Sequence, residues 1–188
     1  PADLGAVRDR RSGDGPLRLC YAGSVYHEQN LDALFEVVAE LVLVWGTGII
    51  GRRVLGGAPL FVNVHAGITP LYRGAHGAVW AVIEGDLGNV GVTVHRVDEG
   101  IDTGRVLAQE RIDFDPCSDT ILTLHAKQSV AGARALARWI GDWAGAPEAS
   151  PAVEPPREPG RLYYSPGLRD YLRFERAARA LCAGGRRP

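Results

Sequence analysis

The chain has 188 residues, 21 basic against 22 acidic side chains and 46% hydrophobic residues, numbers that fit one globular domain of ordinary composition. A formal charge of −1 leaves no global excess of Lys and Arg to neutralise a phosphate backbone, so no nucleic-acid partner is expected. No run of about 18 apolar residues is present to cross a bilayer and no charged-then-apolar leader opens the chain, which predicts an unexported, cytoplasmic protein without a membrane partner. Cys20, Cys117 and Cys182 are odd in number, far apart and without CxxC spacing, and so predict neither a disulfide framework nor a zinc knuckle.

The first sixteen residues are rich in Arg, Asp and Gly without a sustained period and read as a loop or flexible start. Leu17 to Ala22 suits a short strand, and Asn30 is a fitting N-cap for a helix through Leu31, Leu34, Phe35 and Val38. Leu41 to Trp45 is a continuous apolar run, as a strand buried on both faces requires, and it stops at Gly46-Thr47-Gly48. A loop at the carboxyl end of such a strand is where α/β proteins bind ligands. A second buried strand, Leu60 to Val64, leads into His65-Ala-Gly-Ile-Thr-Pro70, where Gly and Pro force irregular backbone.

Ala75 to Glu84 reads as a short helix closed by Gly85. Val90 to Val97 and Val106 to Phe114 read as strands joined by a loop carrying Asp98, Glu99 and Asp102 between glycines. Ser118 or Asp119 can cap a long helix with an apolar face of Ala133, Leu136, Ile140 and Trp143. Five prolines between residues 144 and 160 mark a linker, and a Tyr- and Arg-containing extension with a helix from about Leu168 to Leu181 fills 161–188. Residues 1–143 therefore form the main domain, α/β with a mostly parallel sheet to which the two later strands add in antiparallel sense. A doubly wound domain would begin with another strand and helix, so the expectation is that residues are missing before Pro1.

Asn63, His65 and Asp102 stand out because each is polar where a buried strand ends. Residues two apart on a strand share a face, so Asn63 and His65 point the same way. A carboxamide can donate to a developing oxyanion, an imidazole can give or take a proton, and a carboxylate can orient that imidazole or remove a proton itself. The set suits acyl or formyl transfer to an amine. No Ser or Cys nucleophile lies beside the histidine, which points to direct transfer between two bound substrates. The bland alternative is a hydrogen-bonded pair closing a strand beside a turn carboxylate. His76, His95 and His125 are dispersed and lack ligand spacing, so no metal is expected. Trp80 and Trp143 suit the core, and Tyr163, Tyr164 and Tyr171 are candidates for a partner or dimer surface.

Asn63-Val-His65, Thr69-Pro-Leu-Tyr-Arg73-Gly74, Gly91-Val-Thr93-Val and Asp98-Glu-Gly-Ile-Asp102-Thr-Gly104 with Leu107-Ala-Gln109 together resemble the signature of the 10-formyltetrahydrofolate-dependent formyltransferases. That family includes enzymes acting on glycinamide ribonucleotide, methionyl-tRNA and amino sugars. The resemblance spans roughly Leu41 to Phe114 and implies a Rossmann-like formyltransferase fold. It places the catalytic residues at Asn63, His65 and Asp102, and implies 10-formyltetrahydrofolate as formyl donor. It puts the folate pocket at Gly46, Thr47, Ile49 and Ile50 and at Val97, Asp98, Glu99 and Gly100. It turns Arg73, Gly74 and His76 toward the acceptor amine.

Family members often carry Pro or Ser after the histidine and a Leu-Leu-Pro turn, where this chain has Ala66-Gly67-Ile68-Thr69-Pro70. Only about 45 residues follow Trp143, too few for the oligonucleotide-binding barrel of the tRNA-modifying members. The expected acceptor is therefore the primary amine of a small molecule, an amino sugar or an amino-acid-like amine. A 10-formyltetrahydrofolate hydrolase and a non-catalytic folate-binding module are the rivals.

Overall fold

The computed structural model describes residues 19–22, 41–56, 60–145 and 160–185. The helix expected from Leu31 to Val38, the opening sixteen residues and most of the Pro-rich stretch lie outside the described residues. The elements run β1 Leu19–Ala22, β2 Leu41–Trp45, α1 Arg52–Leu55, β3 Phe61–His65, β4 Tyr72–Gly74, α2 Gly77–Glu84, β5 Gly91–Arg96, β6 Val106–Arg111, α3 Ile121–Gly145, β7 Arg161–Tyr163 and α4 Leu168–Gly185.

The main sheet has the order β1-β2-β3-β5-β6; β1, β2 and β3 are parallel, and β5 and β6 add in antiparallel sense. Because side chains alternate along a strand, Leu41, Leu43, Val62, Val64 and Val94 point to one face, where Ala135, Trp139 and Trp143 of α3 cover them. Val42, Val44 and Phe61 point to the other face and meet Ile50 from the loop after β2. A residue two on from Phe61 emerges on that second face, and this is where Asn63 and His65 stand. Helix α3 runs close to the sheet at Gly132, where an added Cβ would lie 2.7 Å from Val64 Cγ1 and 3.0 Å from Trp45. Of the expected helix face, Leu136, Ile140 and Trp143 pack on the core while Ala133 is exposed, and Gln128, Ala131, Ala135 and Trp139 are buried as well. The cause is that α3 serves two cores, its first half meeting α2 and β5 through Leu124 and Ala131.

Residues 160–185 pack onto the main domain. Strand β7 pairs with β4 in a small parallel sheet, and Phe174 and Ala178 of α4 join Val79, Val82 and Phe114 in a core. Tyr163 is buried, not a partner surface as expected, because it stacks between Tyr72 and Trp80 with centroids 5.4 and 5.3 Å away. Tyr164 and Tyr171 are exposed. The cysteine expectation is also corrected: Cys117 and Cys182 form a disulfide with Cα atoms 5.0 Å apart. The packing of α4 brings its end to the loop before α3, and no sequence spacing encodes that meeting. Strand β4 and helix α1 escape detection because three or four residues carry no period. Among the described residues no helix is long and apolar enough to cross a membrane.

Candidate active site

Register decides which side chains meet at the end of β3. Antiparallel pairing sets Asn63 opposite His95 and His65 opposite Thr93, so two imidazoles and a carboxamide converge. Asn63 Nδ2 lies 3.1 Å from His95 Nε2. The acidic loop between β5 and β6 then carries Asp102 over the pair, with Oδ2 3.3 Å from His65 Nδ1 and Oδ1 3.3 Å from His95 Nε2. Asp102 holds this position in a left-handed backbone conformation, φ 51°, while the Gly74 N–H donates to its Oδ2 at 2.7 Å. Gly74 itself has φ 92°, and a Cβ there would stand 2.1 Å from the Tyr163 carbonyl oxygen, so only glycine serves.

The proton positions follow from the partners. His65 Nε2 is 2.7 Å from the Tyr72 carbonyl and His95 Nδ1 is 2.8 Å from the Arg96 carbonyl. A carbonyl only accepts, so each of these nitrogens carries its hydrogen. The remaining nitrogen of each ring faces the same carboxylate. Burial, the largest influence on His65, pulls its pKa below the ordinary imidazole value, and Asp102 and the Tyr72 carbonyl offset this only in part. Burial alone would raise Asp102, yet the His95 hydrogen bond, the neighbouring His65 ring and the Gly74 N–H together hold its carboxyl below the usual range. The resting arrangement is therefore a carboxylate beside a neutral His65 whose Nδ1 lone pair points at it. A proton delivered between Nδ1 and Oδ2 would be held by both, which makes the pair a proton acceptor.

These groups line a cavity of about 530 Å³. It brings together Asn63, His65 and Asp102 with Gly46, Thr47, Ile49 and Ile50 on one side and Val97, Asp98 and Gly100 on another, and Gly74 and His76 also line it. Two expected residues stand elsewhere. Glu99 pairs with Arg52 at 2.5 Å on the surface, and Arg73 turns away to donate from Nη2 to the Gly160 carbonyl at 3.2 Å. Asp98 shapes its own loop, accepting from Gly100 N at 3.1 Å and Thr103 Oγ1 at 2.7 Å. Sequence reasoning missed His95 and Ser165 as lining residues. The antiparallel register across β3 and β5 is a signal that could have found His95; Ser165 arrives through the tertiary pairing of β7 and leaves no sequence signal. Among the described residues no group of three or more His, Cys, Asp or Glu side chains is disposed to hold a metal ion.

A half-buried carboxamide and a buried imidazole at the end of β3, with a carboxylate brought over them by the loop after β5, suit acyl transfer, and the comparisons name the family. Residues 17–140 match the family model described as Formyl transferase, and the chain belongs to that family. In sequence it is 40% identical over 115 residues to the methionyl-tRNA formyltransferase of Desulfotalea psychrophila, covering 60% of this chain and 35% of that protein. The counterpart from Geotalea daltonii is 36% identical over 109 residues, covering 57% and 34%. The chain thus spans about a third of the length of the curated relatives it matches. Among solved structures, the formyltransferase PseJ of Anoxybacillus kamchatkensis, crystallised with UDP-4,6-dideoxy-4-formamido-L-AltNAc and tetrahydrofolate, superposes with TM-score 0.60 at 16% identity, covering 87% of this chain and 97% of that one. An N-formyltransferase of Helicobacter canadensis, in complex with folinic acid and dTDP-3-aminofucose, gives TM-score 0.64 at 15% identity, covering 82% and 72%. At those identities the structural likeness speaks for the fold.

Proposed function

We propose that this chain transfers a formyl group from 10-formyltetrahydrofolate to the primary amine of a small molecule, an amino sugar or an amino-acid-like amine. The observation that carries the reading is the convergence of Asn63, His65, His95 and Asp102 inside one cavity. The residues fit the donor. Ile49 and Ile101 are exposed apolar side chains lining that cavity, suited to the flat rings of a folate, and the neighbouring glycine-containing loops offer backbone polar groups to its edges. Gly46, Thr47, Ile49, Ile50, Val97, Asp98 and Gly100 would hold it. Bound there, the folate supplies a formyl carbon activated by its bond to N10.

Asn63 donates from Nδ2 to the oxyanion that forms when the amine nitrogen bonds to the formyl carbon. Asp102, with His65 Nδ1 beside it, takes a proton from that nitrogen and returns it to N10 as the carbon–N10 bond breaks, giving a formamide and tetrahydrofolate. His65 keeps Nε2–H on the Tyr72 carbonyl throughout, which favours its role as proton relay over direct contact with the oxyanion.

The 40% identity to a methionyl-tRNA formyltransferase favours a second reading, in which the amine is that of methionyl-tRNA. One experiment separates the cases: tetrahydrofolate formation from 10-formyltetrahydrofolate with amino sugars and their nucleotides, amino-acid amines, methionyl-tRNA, and no amine. Release that depends on a small amine supports the proposal, and release only with methionyl-tRNA supports the second reading. Release without any amine identifies a hydrolase, and no release with any acceptor, despite folate binding, would mean a binding module. A homodimer through the face carrying Tyr164 and Tyr171 belongs to the same reading, and a molecular mass of one chain by light scattering would remove it.

A further inference from the structure

Among the described residues only two that are not glycine adopt a left-handed backbone, Asp102 with φ 51° and His76 with φ 57°, and both line the cavity. Such strain persists where the surrounding structure insists on a side-chain direction. Asp102 already has a chemical role in the proposed transfer; His76 has so far only a place on the acceptor side. It stands at the residue before α2 and makes no side-chain cap there, so its ring is not spent on the helix end. Instead Nδ1 lies 3.4 Å from Nε2 of His125 on α3, with the ring centroids 5.3 Å apart. A single N–H between two facing imidazole nitrogens fixes the tautomer of both rings. Among the described residues Nε2 of His76 meets no protein partner, which leaves that nitrogen for the cavity's contents.

Formyl transfer to an amine needs two proton removals. At neutral pH a primary amine arrives as an ammonium ion with no lone pair; one proton must leave before attack and a second after it. The Asp102–His65 pair accounts for the second. We propose that the His76–His125 pair takes the first: His76 Nε2 accepts a proton from the acceptor's ammonium group, and His125 is the positioning residue that holds the His76 ring in the tautomer able to accept it. The inference rests on the amine-acceptor reading above. The balance is simple: the ammonium loses one N–H bond, His76 gains one and becomes an imidazolium, and the free amine lone pair then attacks. The proton leaves to solvent between turnovers.

The surroundings suit a base that is free near neutral pH. Burial, and then His125 itself, pull His76 below the ordinary imidazole value, and burial does the same to His125. The titratable groups around His76 are His125 from α3 and, lining the same cavity, Asp98, Asp102, His65 and His95. Among the described residues no carboxylate pairs with either ring, in contrast to His65 and His95.

The test has a readout that needs no acceptor. In the full chain, the ring resonances of His76 and His125 are followed against pH by NMR, in the unsubstituted protein and in His125→Ala and His125→Gln. The expectation is a coupled titration of the two rings, with His76 in one tautomer. In His125→Ala its midpoint rises by about half a pH unit or more and the tautomers mix. In His125→Gln the amide keeps Nδ1 hydrogen-bonded and restores the single tautomer. With whichever amine turns over in the acceptor panel, the acidic limb of kcat/KM should move up in pH by the same amount in His125→Ala, while the difference vanishes at alkaline pH. Independent titration of the two rings, or an unmoved His76 midpoint and tautomer in His125→Ala, overturns the proposal. So does an unmoved acidic limb accompanied only by a lower melting temperature, since a purely structural His125 would behave that way. Failure of every amine to turn over counts against the acceptor reading alone, because the titration still decides whether the pair works as a unit.

Discussion

Two walls of one cavity are built in different ways. The wall of β3, β5 and the acidic loop is held by hydrogen bonds in every direction: Asp102 accepts from Gly74 and faces two imidazoles, and each imidazole is tied to a carbonyl. The wall made by Gly74, Ala75 and His76, just before α2, and by Ser165 is backed by packing: His125 of α3 stands behind His76, α4 and β7 press against α2 and β4, and a disulfide ties α4 to the loop before α3. In the first wall a carboxylate lies 3.3 Å from both rings; among the described residues no carboxylate pairs with His76 or His125. Identical side chains thus sit beside a carboxylate in one place and beside another imidazole in the other. The lesson is that supporting groups decide what an imidazole can do.

The largest expected effect comes from breaking the first wall at its centre. Asp102→Asn removes the charge both rings face while keeping the shape, and tetrahydrofolate formation should fall by roughly 10³-fold or more with donor affinity largely kept. Near-normal turnover in that variant would take Asp102 out of the chemistry. The second wall is tested by Phe174→Ala, which empties a fully buried site between α4 and α2. Urea unfolding should register a loss of about 3–5 kcal/mol, and the acceptor's KM should rise more than the donor's. Equal changes in both KM values would mean that the packing of α4 does not shape the acceptor side.

Cys117→Ser sharpens the same comparison. The bridge closes a loop across a sequence separation of 65 residues, and its loss should cost about 2–4 kcal/mol in chemical denaturation while leaving turnover in native conditions intact. A matching loss on adding reductant to the unsubstituted protein would check the assignment. The smallest effect is on stability against pH. His65, His76 and His125 all have folded-state values below the ordinary 6.5, so their contribution is complete above that value and is lost as pH falls through it, when the unfolded chain takes up protons the native one resists. Asp102, held below the ordinary 3.8, adds a further loss only in more acidic solution. The melting temperature should decline from pH 8 to pH 5, and a flat profile would mean that the three rings titrate as they do in the unfolded chain.

Much of this was legible in the chain. The apolar run of β2 and the near-continuous one of β3 announce strands buried on both faces, and the spacing of Asn63 and His65 puts them on one face whatever the fold. The alternating elements imply the sheet, and the glycine-bounded acids imply the loop. The long helix was visible too, though its exposed Ala133 was not, because a helix that serves two cores has no single apolar stripe.

The remainder belongs to contacts between distant segments. His95 reaches the cavity beside Asn63 and Asp102 only through antiparallel register with β3, and Arg73 stands away from it, donating to the Gly160 carbonyl. Glu99 is drawn to Arg52, and Cys117 finds Cys182 only once α4 has docked. His76 and His125, dispersed in the sequence, meet for the same reason. What the sequence by itself determined is local: which stretches are strands or helices, and which polar groups stand at their ends, because backbone geometry and side-chain period are short-range properties. Which of those groups share a proton, and which wall each one joins, only the tertiary structure decided. Hydrogen bonds act over about 3 Å, and only the folded packing brings residues tens of positions apart within that reach.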